Sequence, residues 1–371
     1  MIYYMREAFM IRQKRLRFSV FMLIAVAVWL MSYSLLMTER TMETVSRTLD
    51  VFVRSVLPPL AVFSICAKLL VKTNVMGRLV SARLSSFLNK IGMSAGGFIA
   101  FLFGLFAGFP TGAAMLADLY ENGDISEDEA KSLLPFCNQA SIAFLIGTVG
   151  RSMLNDPGVG WIFFLAQTVT AWICICLTAN ERRIAKKFLM PKAREDCSAI
   201  LSFTSSVRES AFSMISVCGF IVFFSLIGTA LFDTLAALGF HPGELFCAMI
   251  GGSLEISSGF IWLSGGSVSR EAVLICGGAL LGFGGISVFI QAMERTEAFF
   301  FSPEKYFKGK LAASLICPIF SVLFFVLNET SNGKILIFVI SVLVFFIFYF
   351  LNDVKIKFFS KKCGKIKRNA V

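Results

Sequence analysis

The chain has 371 residues, 56% of which are hydrophobic, and it carries a net charge of +11. Its 41 phenylalanines and its mean hydropathy of +0.76 exceed what one soluble core of this length buries, so the composition excludes an ordinary soluble domain. The basic residues are scattered over segments that flank apolar runs, which argues against a nucleic-acid partner. We therefore predict an all-α polytopic membrane protein surrounded by the lipid bilayer.

Apolar runs long enough to cross a bilayer recur along the chain, and each predicts a transmembrane helix. The predicted spans are residues 18–37, 51–71, 132–150, 158–178, 208–231, 272–293, 311–328 and 334–352. Two further apolar stretches, 96–117 and 245–265, are interrupted by Gly, Pro, Ser or Glu. No small-residue cleavage site follows the first run, so we expect an uncleaved first helix rather than a signal peptide.

Three helix-breaking residues, Gly108, Pro110 and Gly112, lie inside the first interrupted stretch. The distribution of Lys and Arg indicates whether the two stretches cross, because these residues are retained on the cytoplasmic side of short loops. If both stretches return to the side from which they entered, 27 basic residues lie on the cytoplasmic side and five lie opposite. We therefore predict two re-entrant hairpins and cytoplasmic termini, with residue 124 inside and residue 268 outside.

The order of these elements repeats along the chain. Residues 51–178 comprise a span, the hairpin near 96–117 and two more spans, and residues 208–328 repeat this order with the hairpin near 245–265. The first unit begins outside and the second inside, which predicts the inverted repeat of many secondary transporters. Outside these units lie a basic segment with the first helix (1–50), a basic cytoplasmic linker (179–207), and the last helix with a basic cytoplasmic tail (329–371).

A short similarity after each hairpin supports a duplication. Ser126 and Glu129, after the first hairpin, have the spacing of a capping box, in which the two side chains satisfy free backbone N–H groups at a helix start. Ser269 and Glu271, after the second, miss this spacing by one residue. Since Ser and Glu are common at any helix start, the similarity supports the repeat without establishing it.

Polar side chains at membrane depth indicate a candidate site, because each is costly in lipid unless it has a partner or a function. In the span 132–150, Asn138, Gln139 and Ser141 follow Pro135, which lacks a backbone N–H. These side chains can bind a ligand or hold neighbouring helices together. The two roles are evenly balanced for Asn138, whereas interhelical contact is favoured for Gln139.

The second interrupted stretch contains Glu255, the one acid inside either hairpin. Neighbouring glycines let the backbone approach a substrate closely, and exposed helix N-termini attract anions. A carboxylate at this depth is protonated, paired, in contact with water, or a cap on backbone N–H groups.

In the span 272–293 the frequent glycines favour tight packing over an unwound segment. The candidate substrate-binding residues are Gly108, Pro110, Thr111, Gly112, Asn138, Gln139, Ser141, Ser253, Glu255, Ser257, Ser258, Gly284 and Ser287.

Several of these motifs resemble the sporulation integral membrane protein YlbJ family, also called SpoVV. The resemblance covers roughly residues 50–330 and is carried by GFPTG at 108–112, Glu129-Ala130, FCN at 136–138, and Glu255 with its glycines. This family is placed in the nucleoside-recognition or Gate-domain group, which includes part of the ferrous iron transporter B. Its members carry Ser-Gly-Pro shortly after FCN, whereas this chain has Gln-Ala-Ser-Ile.

The resemblance implies a protein of endospore-forming bacteria that passes dipicolinic acid from the mother cell toward the spore. It also implies a fold similar to concentrative nucleoside transporters, with two hairpins and two broken helices around the site. The implied location is the outer forespore membrane, which derives from the mother cell. The departure after FCN leaves open whether the helix breaks there and which substrate is carried.

Three function classes remain open. A carrier of a small organic anion such as dipicolinate fits the inverted repeat and the Ser/Gly/Asn-rich hairpins, whereas a nucleoside carrier would need more buried acids and amides than this chain offers. The third class is a non-transporting membrane component of spore assembly. An enzyme is not expected, since no nucleophile–base pair is visible and His241 is the sole histidine.

The ten cysteines include no C-x-x-C pair, so we expect no metal, disulfide framework or other cofactor. The oligomeric state stays open.

Overall fold

The computed structural model describes residues 21–72, 82–90, 92–179, 199–297 and 301–330, and their regular elements are all helical. The helices are α1 Phe21–Leu36, α2 Thr38–Val51 with a π-helical turn at Phe52–Val56, α3 Leu57–Lys72, α4 Ala82–Lys90, α5 Ala95–Ala107, α6 Thr111–Glu121, α7 Glu127–Cys137, α8 Phe144–Met153, α9 Pro157–Leu177, α10 Ala199–Ala237, α11 Glu244–Leu254, α12 Ile256–Leu263, α13 Arg270–Phe283, α14 Ile286–Thr296 and α15 Pro303–Thr330. The basic segment 1–17, most of the linker 179–207 and the predicted span 334–352 lie outside the described residues.

Four helical segments in this part of the chain are long and apolar enough to cross a membrane: α9, α10, the α13–α14 pair and α15. The α1–α2 pair, bent by 104°, makes a fifth if it is counted as one broken span. The chain is therefore an integral, multi-pass membrane protein, as its composition predicts.

Both interrupted stretches form helical hairpins. Their arms α5, α6, α11 and α12 have 13, 11, 11 and 8 residues. At 1.5 Å per residue the longest arm spans only about 20 Å of a hydrocarbon layer of about 30 Å, so no arm crosses alone. Gly108 ends α5 with a φ of 80°, which favours glycine, and α6 begins three residues later. The second hairpin turns at Glu255, whose backbone is extended.

Two predicted spans, 132–150 and 272–293, are each broken into two helices. The first ends at Cys137 and resumes near Phe144, where the helix is wound as a π-helix. The second breaks at Gly284 and Gly285, whose φ values of 85° and 90° lie in the left-handed region. An apolar run indicates membrane depth and not whether the helix is continuous. The sequence therefore left the first break open and favoured packing over unwinding for the glycines of the second span, whereas the resemblance implied two broken helices.

The order of elements in the second half follows that in the first. The first half contains α3, the α5–α6 hairpin, the broken helix α7–α8 and the long helix α9. The second half contains α10, the α11–α12 hairpin, the broken helix α13–α14 and the long helix α15. The long helices of both halves, α9 and α15, pack against each other and against α13.

Two long helices extend into segments that were predicted as loops. Helix α10 has 39 residues and begins at Ala199, so it is about 58 Å long and exceeds the thickness of a bilayer. Helix α15 begins at Pro303 instead of residue 311. Lys310 was counted among the basic residues of the preceding cytoplasmic loop, and it is instead a buried residue of this helix.

Candidate functional site

A small cavity, lined mainly by apolar side chains with a few polar groups among them, lies where the two hairpin turns meet the two helix breaks. We call it the central cavity, and its volume is about 50 Å³. The side chains and backbone that line it come from both halves of the chain. They belong to Val56, Leu60, Ala107, Gly108, Phe109, Ala140, Ser141, Phe144, Val217, Ile221, Glu255, Ile256, Ser257, Ser287, Val288 and Gln291. Five of the predicted site residues are in this lining: Gly108, Ser141, Glu255, Ser257 and Ser287.

Glu255 forms the turn of the second hairpin and the N-cap of α12. Its Oε2 accepts a hydrogen bond from the backbone N–H of Ser258 at 3.1 Å, and its Oε1 accepts one from the Ser257 hydroxyl at 3.1 Å. The side chain is only 3% exposed, and it supplies the one carboxylate among the described residues of the cavity lining. Glu255 therefore combines a capping role with a position on the cavity wall.

The start of α14 supplies further polar groups to the cavity. The first N–H groups of any helix have no partner within that helix. The N-cap residue of α14 is Gly285, which has no side chain to accept a hydrogen bond from them. The Gln291 Nε2 donates to the Ser287 hydroxyl at 3.0 Å, whereas the buried Gln291 Oε1 has no hydrogen-bond partner among the described residues. The lining thus combines the positive end of a helix dipole with a free amide oxygen.

The first hairpin contacts the first helix break through a glycine. A Cβ atom on Gly108 would lie 2.9 Å from both Cβ and backbone N of Ser141, a distance that only glycine permits. The Ser141 hydroxyl accepts a hydrogen bond from the Phe144 N–H at 3.1 Å and so caps α8. The first hairpin and the first helix break are therefore in direct contact at this point.

Three predicted residues of the first hairpin lie beside the cavity, next to other elements. The Thr111 hydroxyl lies 3.1 Å from the hydroxyl of Ser64 in α3, and Pro110 lines the same small space. A Cβ atom on Gly112 would overlap with the carbonyl oxygen of Cys137 at the end of α7, as would one on Gly104. The two glycines therefore enclose this carbonyl between the arms of the hairpin.

The second hairpin separates the central cavity from a larger one. This outer cavity has a volume of about 590 Å³, lies between α2, α10, α11 and α12, and includes Arg40 and Arg47 in its lining. Ser258, which also lines it, has its hydroxyl 3.2 Å from that of Ser225 in α10. Ser253 is half-buried in α11 and is not part of the central lining.

The remaining predicted residues, Asn138, Gln139 and Gly284, lie near Lys310 and away from the central lining. The Lys310 ammonium donates to the backbone carbonyl of Asn138 at 2.6 Å, and the Asn138 side-chain amide donates to the Tyr306 hydroxyl at 3.0 Å. The Gln139 amide donates to the carbonyl of Phe136. Sequence reasoning missed Lys310, and the available signal was a lysine at the edge of the apolar run 311–328.

This architecture defines a multi-pass helical membrane protein with a small cavity between two hairpins and two helix breaks. The chain is similar to the sporulation integral membrane protein YlbJ of Bacillus subtilis (strain 168), with 25% identity over 287 residues that cover 68% of this chain and 70% of that protein. No model of a known protein family matches the chain. No solved structure matches it either.

Proposed function

We propose that this protein is a carrier for a small organic anion, and that the central cavity is its substrate site. The observation that carries the proposal is the convergence of both hairpin turns and both helix breaks on one cavity, whose mainly apolar lining includes a few polar side chains. Secondary transporters bind substrates where interrupted helices meet near the bilayer midplane, because the free backbone groups of such helices are available to a ligand. A non-transporting assembly component has no need of such a cavity.

Two hydroxyl contacts support an inverted repeat like that of concentrative nucleoside transporters. Ser64 of α3 contacts Thr111 of α6, and Ser225 of α10 contacts Ser258 of α12. In each half, the first long helix is therefore joined to the second arm of the hairpin in that half. Equivalent contacts in the two halves are expected if the halves are related by a pseudo-two-fold axis in the membrane plane.

The chemistry of the lining favours an anion over a nucleoside. The uncapped N-terminus of α14 and the hydroxyl of Ser287 offer hydrogen-bond donors, which carboxylates accept. A nucleoside would need several acids and amides for its ribose and base, whereas the described lining offers Glu255 and Gln291. A volume of about 50 Å³ holds about one or two waters, so the cavity must widen to admit an organic acid.

We infer a role in sporulation from the name of the similar Bacillus subtilis protein. The substrate that we propose is dipicolinic acid, carried from the mother cell across the outer forespore membrane with both termini in the mother-cell cytoplasm. Uptake of radiolabelled dipicolinate and of uridine by proteoliposomes containing the purified protein tests this assignment. Saturable dipicolinate uptake supports the proposal, whereas uptake of uridine alone would reassign the protein as a nucleoside carrier.

The inverted repeat predicts that the loops after the two hairpins face opposite sides of the membrane. We expect a cysteine introduced by Asn122→Cys to react from the cytoplasmic side and one introduced by Gly266→Cys from the other side, in a background without native cysteines. Both positions are exposed, and a Cβ on Gly266 meets no neighbouring atom within 4 Å. Labelling of both cysteines by a membrane-impermeant maleimide from one side would contradict the repeat.

A further inference from the structure

Lys310 is a buried basic residue in a membrane-spanning helix, and the proposed substrate site does not use it. The residue is 2% exposed, and its ammonium has no carboxylate partner among the described residues. The titratable groups that face it are the thiols of Cys137, Cys174 and Cys317 and the hydroxyl of Tyr306. A charge at this depth is costly, so it requires compensation from dipoles and from aromatic faces.

That compensation comes from the break in the first interrupted helix. The ammonium donates to the Asn138 carbonyl directly after the C-terminal end of α7, where the helix dipole is negative. The rings of Phe109 and Tyr306 lie 5.7 and 5.8 Å from the ammonium nitrogen, close enough for cation–π attraction. The first hairpin, α7 and α15 thus all contribute to holding this charge.

The break in the second interrupted helix also lies close to the Lys310 side-chain nitrogen. A Cβ atom on Gly284, the left-handed residue that ends α13, would lie 3.5 Å from the Lys310 ammonium nitrogen. Leu281 and Gly282, from the last turn of α13, line a cavity of about 20 Å³ together with Lys310. The C-terminal ends of α7 and α13 therefore both approach one ammonium group.

Two side-chain oxygens complete the surroundings of this cavity. Gln139 and Gln167 line it with Lys310, and the Oε1 atoms of both are buried without a hydrogen-bond partner among the described residues. Their amide nitrogens donate to the carbonyls of Phe136 and Ala140, which fixes the oxygens as the free acceptors. Carbonyl oxygens and half-helix C-terminal ends are the groups that coordinate sodium in transporters with interrupted helices.

We propose that the Lys310 ammonium is a tethered cation, which occupies a sodium-type site between the two helix breaks. The inference rests on the proposed carrier function and names its ion requirement. Because this cation is covalently attached, it cannot leave with the substrate. Sodium is therefore neither bound nor carried at this site in the native protein, and it enters only when the ammonium is removed.

Three substitutions test this proposal. Lys310→Ala removes the ammonium and leaves space for an ion, Lys310→Met removes the charge and fills the space, and Lys308→Ala is the control. Lys308 lies half a turn away, is exposed, and pairs with Glu304 at 2.6 Å. The measurements are the unfolding midpoint of the purified protein and dipicolinate uptake by proteoliposomes, each in sodium chloride and in choline chloride of equal concentration.

We expect wild type and Lys308→Ala to give the same midpoint and uptake in both salts. In choline, Lys310→Ala should lower uptake about tenfold, the effect of losing one charge-assisted hydrogen bond. Sodium should then raise both its midpoint and its uptake, because a ligand that binds only the folded state stabilises it. Lys310→Met should show the same loss in choline without recovery in sodium.

A sodium-dependent rise in the wild-type midpoint would overturn the proposal, and so would a folded Lys310→Ala protein that does not respond to sodium. If Lys310→Ala does not accumulate, the wild-type comparison still decides, since a tethered cation requires sodium independence there. If wild type transports neither dipicolinate nor uridine, the carrier function fails, while the sodium response of the unfolding midpoints still tests Lys310. The two failures are therefore distinguishable.

Discussion

The Gly112→Val substitution is expected to abolish uptake per molecule while the protein still inserts into the membrane. A Cβ at this position overlaps with the Cys137 carbonyl oxygen, and Gly104 closes the other side of the same carbonyl. The end of α7 must therefore move, and this displaces the Asn138 carbonyl that holds Lys310 and the break that carries Ser141. Overpacking of this kind costs about 1–3 kcal/mol, and we expect at least a tenfold loss of uptake.

Gly219→Val is the matched control for this substitution. Gly219 lies on an exposed face of α10, and a Cβ there meets no atom within 4 Å. Uptake divided by the amount of protein in the membrane separates a functional defect from poor insertion. Normal uptake per molecule with less protein in the membrane would show that Gly112 serves packing alone.

The Glu255→Ala substitution is expected to reduce dipicolinate uptake by more than its effect on stability explains. Loss of an N-cap costs about 1 kcal/mol, whereas this side chain also faces the central cavity. A charged Glu255 would repel a dianion, so we expect the carboxyl group to be protonated when the substrate is bound. Glu255→Gln, which resembles the protonated acid, should then keep most uptake and show a weaker dependence on pH.

Ser269→Ala is the control for the capping contribution. Ser269 caps α13 by accepting a hydrogen bond from the Ala272 N–H at 3.3 Å, and it is exposed and absent from the central lining. We expect it to lose about as much stability as Glu255→Ala with normal uptake. Equal uptake in the two alanine variants would show that Glu255 serves only as an N-cap. Inactivity of Glu255→Gln would instead favour a carboxylate that holds a cation.

The two hairpins were predictable from the sequence, because Gly108, Pro110 and Gly112 interrupt one apolar run and Glu255 with its glycines interrupts the other. The serine caps were predictable as well, since Ser126 accepts from the Glu129 N–H at 3.2 Å as the spacing indicates. The Glu129 carboxylate also accepts from the Ser94 N–H at 2.6 Å, a contact across 35 positions that local spacing does not reveal.

The ends of helices and the partners of buried charges were not predictable. Gly284 and Gly285 were interpreted mainly as packing residues, but they form the helix break. The close helix–helix contact is made by Gly282, on which a Cβ atom would overlap with the Ala313 carbonyl oxygen. Lys310 was counted as a loop residue because hydropathy alone places a lysine at a helix end. Its burial depends on the Asn138 carbonyl, 172 positions earlier in the chain, and only the tertiary fold brings the two together.

The dipicolinate content of spores from a deletion strain tests the central claim most directly, with complementation by the wild-type gene and by the Glu255→Ala variant. The account predicts that spores lacking the protein contain little dipicolinate although the mother cell still synthesises it. The wild-type gene should restore the content, whereas Glu255→Ala, present in the membrane in equal amount, should not. Normal dipicolinate content in the deletion strain would contradict the account.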